Sequence, residues 1–177
     1  GSLQYVRIEF AGYPFKKDQE INGLTLGSVG AGTTIDHVQV SYSNDDSYEW
    51  FGGTVNCKHL IAFRGWDDDF DTDNGFSGKV QFGLAVRDPK IADQSQSNGF
   101  ESDNCSDGSQ LSPYTTATFS NITFVGPKSA SDFVNDKSYI TAGNYFPNNG
   151  SGLGRFQAAM QIRRSSRLNC VNSLVMD

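Results

Sequence analysis

The chain has 177 residues, a length that suits one domain, and it is acidic: 14 Lys and Arg stand against 20 Asp and Glu, for a net charge of −6. Its basic residues are scattered apart from Arg163, Arg164 and Arg167, which argues against duplex nucleic acid, whose binding needs clustered Lys and Arg. No run approaches the length of a transmembrane helix, and three cysteines without a C-x-x-C motif make neither a disulfide framework nor a zinc site. Cys57, Cys105 and Cys170 are therefore read as buried free thiols, with one disulfide plus a free thiol as the alternative. An anionic surface suits cations, or sugars bridged by cations.

Frequent Gly, Thr, Ser, Asn and Phe with little Ala and Leu favour strands and turns. Residues 3–10 open the chain as a half-buried strand, in which Val6, Ile8 and Phe10 alternate with Tyr5, Arg7 and Glu9. A polar loop with Pro14 follows over 12–20, then a strand over 21–26 and a glycine-rich turn over 27–32.

Next comes a 22-residue echo. Asp45 and Asp46 recur as Asp67 and Asp68, Glu49 as Asp71, His37 as His59, Tyr48 as Phe70 and Gly53 as Gly75. This period is too short for a helical-pair repeat and suits one coil of a β-solenoid. Val38, Val40, Leu60, Ala62, Phe82 and Leu84 should face inward, leaving His37, Gln39, His59, Ile61, Gln81 and Gly83 outside. After Arg87 a loop insertion over 88–96 shifts the pattern, so that Phe70-Asp71-Thr72-Asp73 reappears as Phe100-Glu101-Ser102-Asp103. A strand over 117–125, an irregular excursion over 126–154 and strands over 155–163 and 168–175 complete the chain. Asn22 and Asn44, also one period apart, read as the start of an asparagine ladder. The fold expected is all-β: a right-handed parallel β-helix of about 22 residues per turn with loop insertions, a single domain over 1–177. The strand pattern runs to both ends, which reads as a fragment of a longer protein.

Stacked coils make an acidic ladder. Asp69, Asp71 and Asp73 should share one side of a strand, with Glu49 one coil below and Glu101 one above. Neighbouring unit charges ~4.8 Å apart repel by roughly 0.9 kcal/mol even in water. Raised pKa values with shared protons, the neighbouring Arg64 and Lys79, or a bound cation would offset this, and calcium accepts six to eight oxygen ligands in loose geometry. The run Asp69 to Gly75 reads D-x-D-x-D-x-G, like the front of a calcium loop. It is not an EF-hand, because Gly stands seventh instead of sixth and the twelfth residue is Val80. The candidate metal ligands are thus Glu49, Asp69, Asp71 and Asp73. Glu49 and Asp71 are also a candidate catalytic carboxylate pair. Trp50 and Trp66, with Arg64 and Glu101, are candidate ligand contacts, because a flat ring beside polar groups is how sugars are held. His37 and His59 should stack on an exposed face near Asp36 and Lys58, either as a surface ladder or as metal ligands.

The stretches 35–46, Tyr48-Glu-Trp-Phe-Gly-Gly-Thr-Val55 and Trp66-Asp-Asp-Asp-Phe-Asp-Thr-Asp-Asn-Gly75 resemble secreted β-helix proteins of Bacteroidetes type, within the pectin-lyase-like superfamily in the broad sense. The resemblance covers roughly residues 3–124. It implies an extracellular or outer-membrane-surface location and no particular reaction. Ile35-Asp36-His37 is similar to part of the pectate-lyase W-I-D-H motif, but Thr34 stands in place of the Trp, and the polygalacturonase motifs N-T-D, D-D, G-H-G and R-I-K are not present as a set. Three readings follow: a surface protein that binds carbohydrate or another extracellular partner with calcium, a lyase or glycoside hydrolase acting on acidic polysaccharide, or a structural stalk or adhesin segment.

Overall fold

The computed structural model describes residues 1–13, 20–93, 95–129, 131, 133 and 155–176. Among the described residues twelve strands run in chain order: β1 (Ser2–Glu9), β2 (Leu24–Gly27), β3 (Thr34–Ser41), β4 (Tyr48–Phe51), β5 (Asn56–Phe63), β6 (Phe70–Asp73), β7 (Lys79–Val86), β8 (Ser97–Ser102), β9 (Thr118–Val125), β10 (Phe156–Ile162), β11 (Asn169–Val171) and β12 (Leu174–Met176). One sheet has the order β1-β3-β5-β7-β9, with β11 and β12 both paired to β9. The other has the order β2-β4-β6-β8-β10. Every pairing is parallel. Strands alternate between the sheets along the chain, so each coil contributes one strand to each, and the molecule is a parallel β-helix. Most of the polar loop expected over 12–20 and of the excursion over 126–154 lies outside the described residues.

The core lies between the sheets. Val38, Val40, Leu60, Ala62, Ala85 and Ile122 of the first sheet meet Tyr48, Trp50, Phe70 and Phe100 of the second. Successive coils stack like on like: Tyr48, Phe70 and Phe100 form one column with ring centroids 5.6 and 5.5 Å apart. The buried Tyr48 hydroxyl reaches the carbonyls of Val38 at 2.7 Å and Ile61 at 3.0 Å, which removes the cost of hiding it.

The fourth residue of each long strand takes a left-handed φ: Tyr5 55°, His37 51°, His59 53°, Phe82 61° and Asn121 58°. This bends the strand and breaks its alternation, so Ile35 and Val38, three apart, are both buried.

The third coil corrects the expected facing. One more residue separates β6 from β7 than separates β4 from β5, and Gly83, not Phe82, lies opposite Leu60. A slip of one residue turns every side chain to the other face. Phe82 is accordingly exposed, and Leu84 joins the column of Ile61 instead of Val40. Glycine suits the inward position: a Cβ at Gly83 would meet Ile122 Cδ1 at 2.8 Å. The expected asparagine ladder is also absent, because Leu24 pairs with Tyr48 and so Asn22 does not face Asn44. Asn22 donates instead to Thr25 and Glu49. The three cysteines are free, but only Cys57 is buried.

Candidate functional site

The acidic site is built on the outer face of the second sheet. In β4 and β6 the aromatic residues Tyr48, Trp50 and Phe70 take the inner face, so alternation sends Glu49, Asp71 and Asp73 outward. The register sets Asp71 opposite Glu49 on one side and Glu101 on the other. The corners that lead into these strands add Asp45, Asp46, Asp67 and Asp68. A backbone ladder fixes them: an Asp46 carboxylate oxygen accepts the Asp68 N–H at 2.9 Å, and Asp68 in turn accepts the Asn98 N–H one coil on.

Among the described residues three groups of carboxylates result, each with oxygens within 4.8 Å of one another: Asp45, Asp46 and Asp67; Asp46, Glu49 and Asp71; Asp68, Asp71 and Glu101. Asp46 and Asp71 each belong to two groups and link all three into one strip. A cleft of about 260 Å³, lined by Glu20, Asp45, Asp46, Glu49, Asp67 and Asp93 among others, opens at one end.

Burial dominates the electrostatics of this strip. It pushes the Glu49 carboxyl up to about 8, against a lowering hydrogen bond from Asn22 and with further raising by Asp73, Asp45 and Glu101. Burial also pushes Asp45 up to about 7, with Glu20 and Asp93 adding to the effect. Asp46, Asp67, Asp68 and Asp71 are all held well above the usual carboxylate range, first by burial and then by like charges beside them. Asp71 is 8% exposed, and its Oδ1 has no hydrogen-bond partner among the described residues. Arginines close the other end. Arg163 pairs with Glu101 and donates from Nε to Asp103 at 3.0 Å, and Arg164 donates to Asp103 at 2.5 Å.

The predicted site residues separate on this frame. Glu49, Asp71 and Glu101 come together with Asp46 and Asp68. Asp73 sits towards Asp103 and the arginines, outside the three groups, with its carboxyl pushed up by burial to about 6. Asp69 leaves the strip altogether. It precedes β6 at the corner, is fully buried, and pairs with Arg87 at 3.2 Å. Trp50 offers no platform for a sugar, because its ring is enclosed between Tyr48 and Phe76. Trp66 is likewise buried, packed with Ala92 against Ile91 and Phe156. Arg64 is partly exposed but engaged with Asp88 at 3.5 Å. Asp46 and Asp68 are not among the ligands expected from the sequence. The 22-residue echo had put them in register, and the inward turn of that corner made them part of the site.

The donor set is oxygen only, anionic and crowded. That fits a hard cation such as calcium, which takes several carboxylate oxygens and would supply the positive charge that the buried Asp71 oxygen lacks. Asp46, Glu49, Asp68, Asp71 and Glu101 are the residues that would hold it.

A family model described as a pectate-lyase-like beta helix domain matches residues 1–176. No curated protein and no solved structure matches the chain. With coils of parallel strands and a family match along almost its whole length, the chain belongs to the family of pectate-lyase-like β-helix domains.

Proposed function

We propose that this domain binds calcium on the strip formed by Asp46, Glu49, Asp68, Asp71 and Glu101, and through it a carbohydrate polymer outside the cell or at its outer surface. The observation that carries the reading is the Asp71 carboxylate, enclosed among acidic groups with one oxygen unpartnered. A buried carboxylate in that setting needs a proton or a cation. Bound calcium would leave open positions towards solvent, and the strip runs up the helix axis, the direction in which a sugar chain would lie across successive coils.

Calorimetric titration of calcium into EDTA-stripped protein tests it. At a free concentration of about 100 Kd, calcium should stabilise the fold by roughly 2.7 kcal/mol, or about 5–10 °C in Tm for a chain of this size. Asp71→Asn should abolish the shift while leaving the calcium-free Tm equal or higher, since it removes a like charge. Neither heat nor shift in the wild type would end the calcium reading. A glycan array that stays blank with and without calcium would end the carbohydrate reading.

One observation favours a second reading. Glu49 and Asp71 lie side by side and both are raised above the usual carboxylate range, so the pair can share one proton, and a carboxylic acid beside a carboxylate is the apparatus of a glycoside hydrolase or polysaccharide lyase. Loss of polymer size on incubation with acidic polysaccharides, abolished in Asp71→Asn, would favour this enzyme over a binding domain.

A further inference from the structure

On the other sheet lies a second cluster, of different chemistry. His37 and His59 occupy the bent fourth position of β3 and β5, and the parallel register stacks their rings with centroids 4.3 Å apart. Tyr5 stacks on His37 at 4.7 Å and Phe82 on His59 at 5.2 Å, so the pair is clamped from both sides along one column. One Asp36 carboxylate oxygen lies 2.9 Å from Nδ1 of His37 and 2.7 Å from Nδ1 of His59. The rings remain partly open to solvent, with side-chain exposures of 43% and 41%. They line a groove of about 600 Å³ together with Gln39, Ile61, Leu84 and Asn121.

We infer that His37 and His59 bind a divalent transition-metal ion of the zinc class, with Asp36 as the positioning carboxylate. Asp36 accepts a hydrogen bond from His59 Nδ1–H, and the same oxygen stands 2.9 Å from Nδ1 of His37. In a neutral imidazole that assigns the lone pair to Nε2, on the ring edge turned away from the carboxylate. A histidine that ligates a metal through one nitrogen commonly donates its other N–H to a carboxylate, which fixes the tautomer and raises the ring's basicity. Here one carboxylate serves two histidines a single coil apart. The stacked neighbours and the bent backbone hold both rings before any ion arrives. Imidazole nitrogen selects zinc, nickel, copper or cobalt over calcium, whereas the acidic strip offers only oxygen. The two sites are therefore separable by metal, and this inference stands whatever becomes of the calcium reading.

Zinc is titrated into the calcium-saturated full chain by calorimetry, and cobalt binding is followed by its visible absorption. One equivalent is expected for the wild type. The double variant His37→Asn/His59→Asn should bind none, and its folding is checked by its zinc-free melting curve. Asparagine is chosen because it tolerates a left-handed φ and already stands in this column as Asn121. Asp36→Asn should weaken zinc about 10–100-fold, and Asp71→Asn should leave zinc binding unchanged. A wild type that binds no zinc in calcium, or a folded double variant that still binds one equivalent, overturns the site.

Discussion

Arg87 and Asp69 are shut away from water together, with side-chain exposures of 1% and 0%. Arg87 also donates to the carbonyls of Asp67 at 2.6 Å and Trp66 at 3.0 Å, tying the acidic corner to the end of β7. Removing one partner of such a pair strands the other charge. Arg87→Leu should cost about 3–5 kcal/mol, and adding Asp69→Asn to it should recover a large part. A double-mutant cycle by urea unfolding measures this, and a coupling energy near zero would show that the pair contributes nothing. On paper Asp69 belongs with Asp71 and Asp73, because the three alternate. Its true partner lies 18 residues away at the mouth of a loop insertion, and only the turn of the corner brings them together.

At the scale of the strand, corners and bends decide which residues meet. Non-glycine residues in left-handed conformations cost roughly 1–2 kcal/mol each, and the long strands each carry one at the fourth position. Stacking down the column offsets part of that cost. Where backbone crowds backbone, only glycine serves. Gly53 has a φ of 89°, and a Cβ there would lie 2.5 Å from the Val29 carbonyl oxygen. Gly108 has a similar φ of 79° but open space around it. Gly53→Ala should therefore destabilise by about 2–3 kcal/mol and Gly108→Ala by about 1 kcal/mol. Equal midpoints in urea for the two variants would refute the crowding argument. The recurrence of Gly53 as Gly75 was visible in the repeat. The bend column was not, since Tyr, His and Phe are poor advertisements for a left-handed φ.

For the whole molecule, the buried acidic strip makes stability depend on pH in an unusual direction. Folded-state values of about 7 for Asp45, 8 for Glu49, and 6 for both Asp69 and Asp73 lie above those of an unfolded chain, near 4. Carboxyls raised in this way favour the folded state while protonated. Their contribution is full below about pH 4 and is lost as pH rises through 6 to 8. Protein kept in EDTA should thus melt at a lower temperature at pH 8.5 than at pH 5, and calcium should restore more at the higher pH. A melting temperature in EDTA that climbs across this range would contradict the electrostatic account.

The sequence by itself determined the repeat. A period of one coil, alternating apolar residues and echoed acids implied parallel coils, and with them the contact of Glu49, Asp71 and Glu101, because strand spacing converts a sequence period into a vertical stack. Tertiary structure decided everything at the corners. It turned Asp46 and Asp68 into the strip and Asp69 out of it, buried Trp50 and Trp66, and took up the third coil's additional residue ahead of β7, which set Phe82 over His59. The physical reason is that strand periodicity propagates facing only along straight runs. At a bend, a single left-handed φ or one additional residue resets which side of the sheet every following side chain takes.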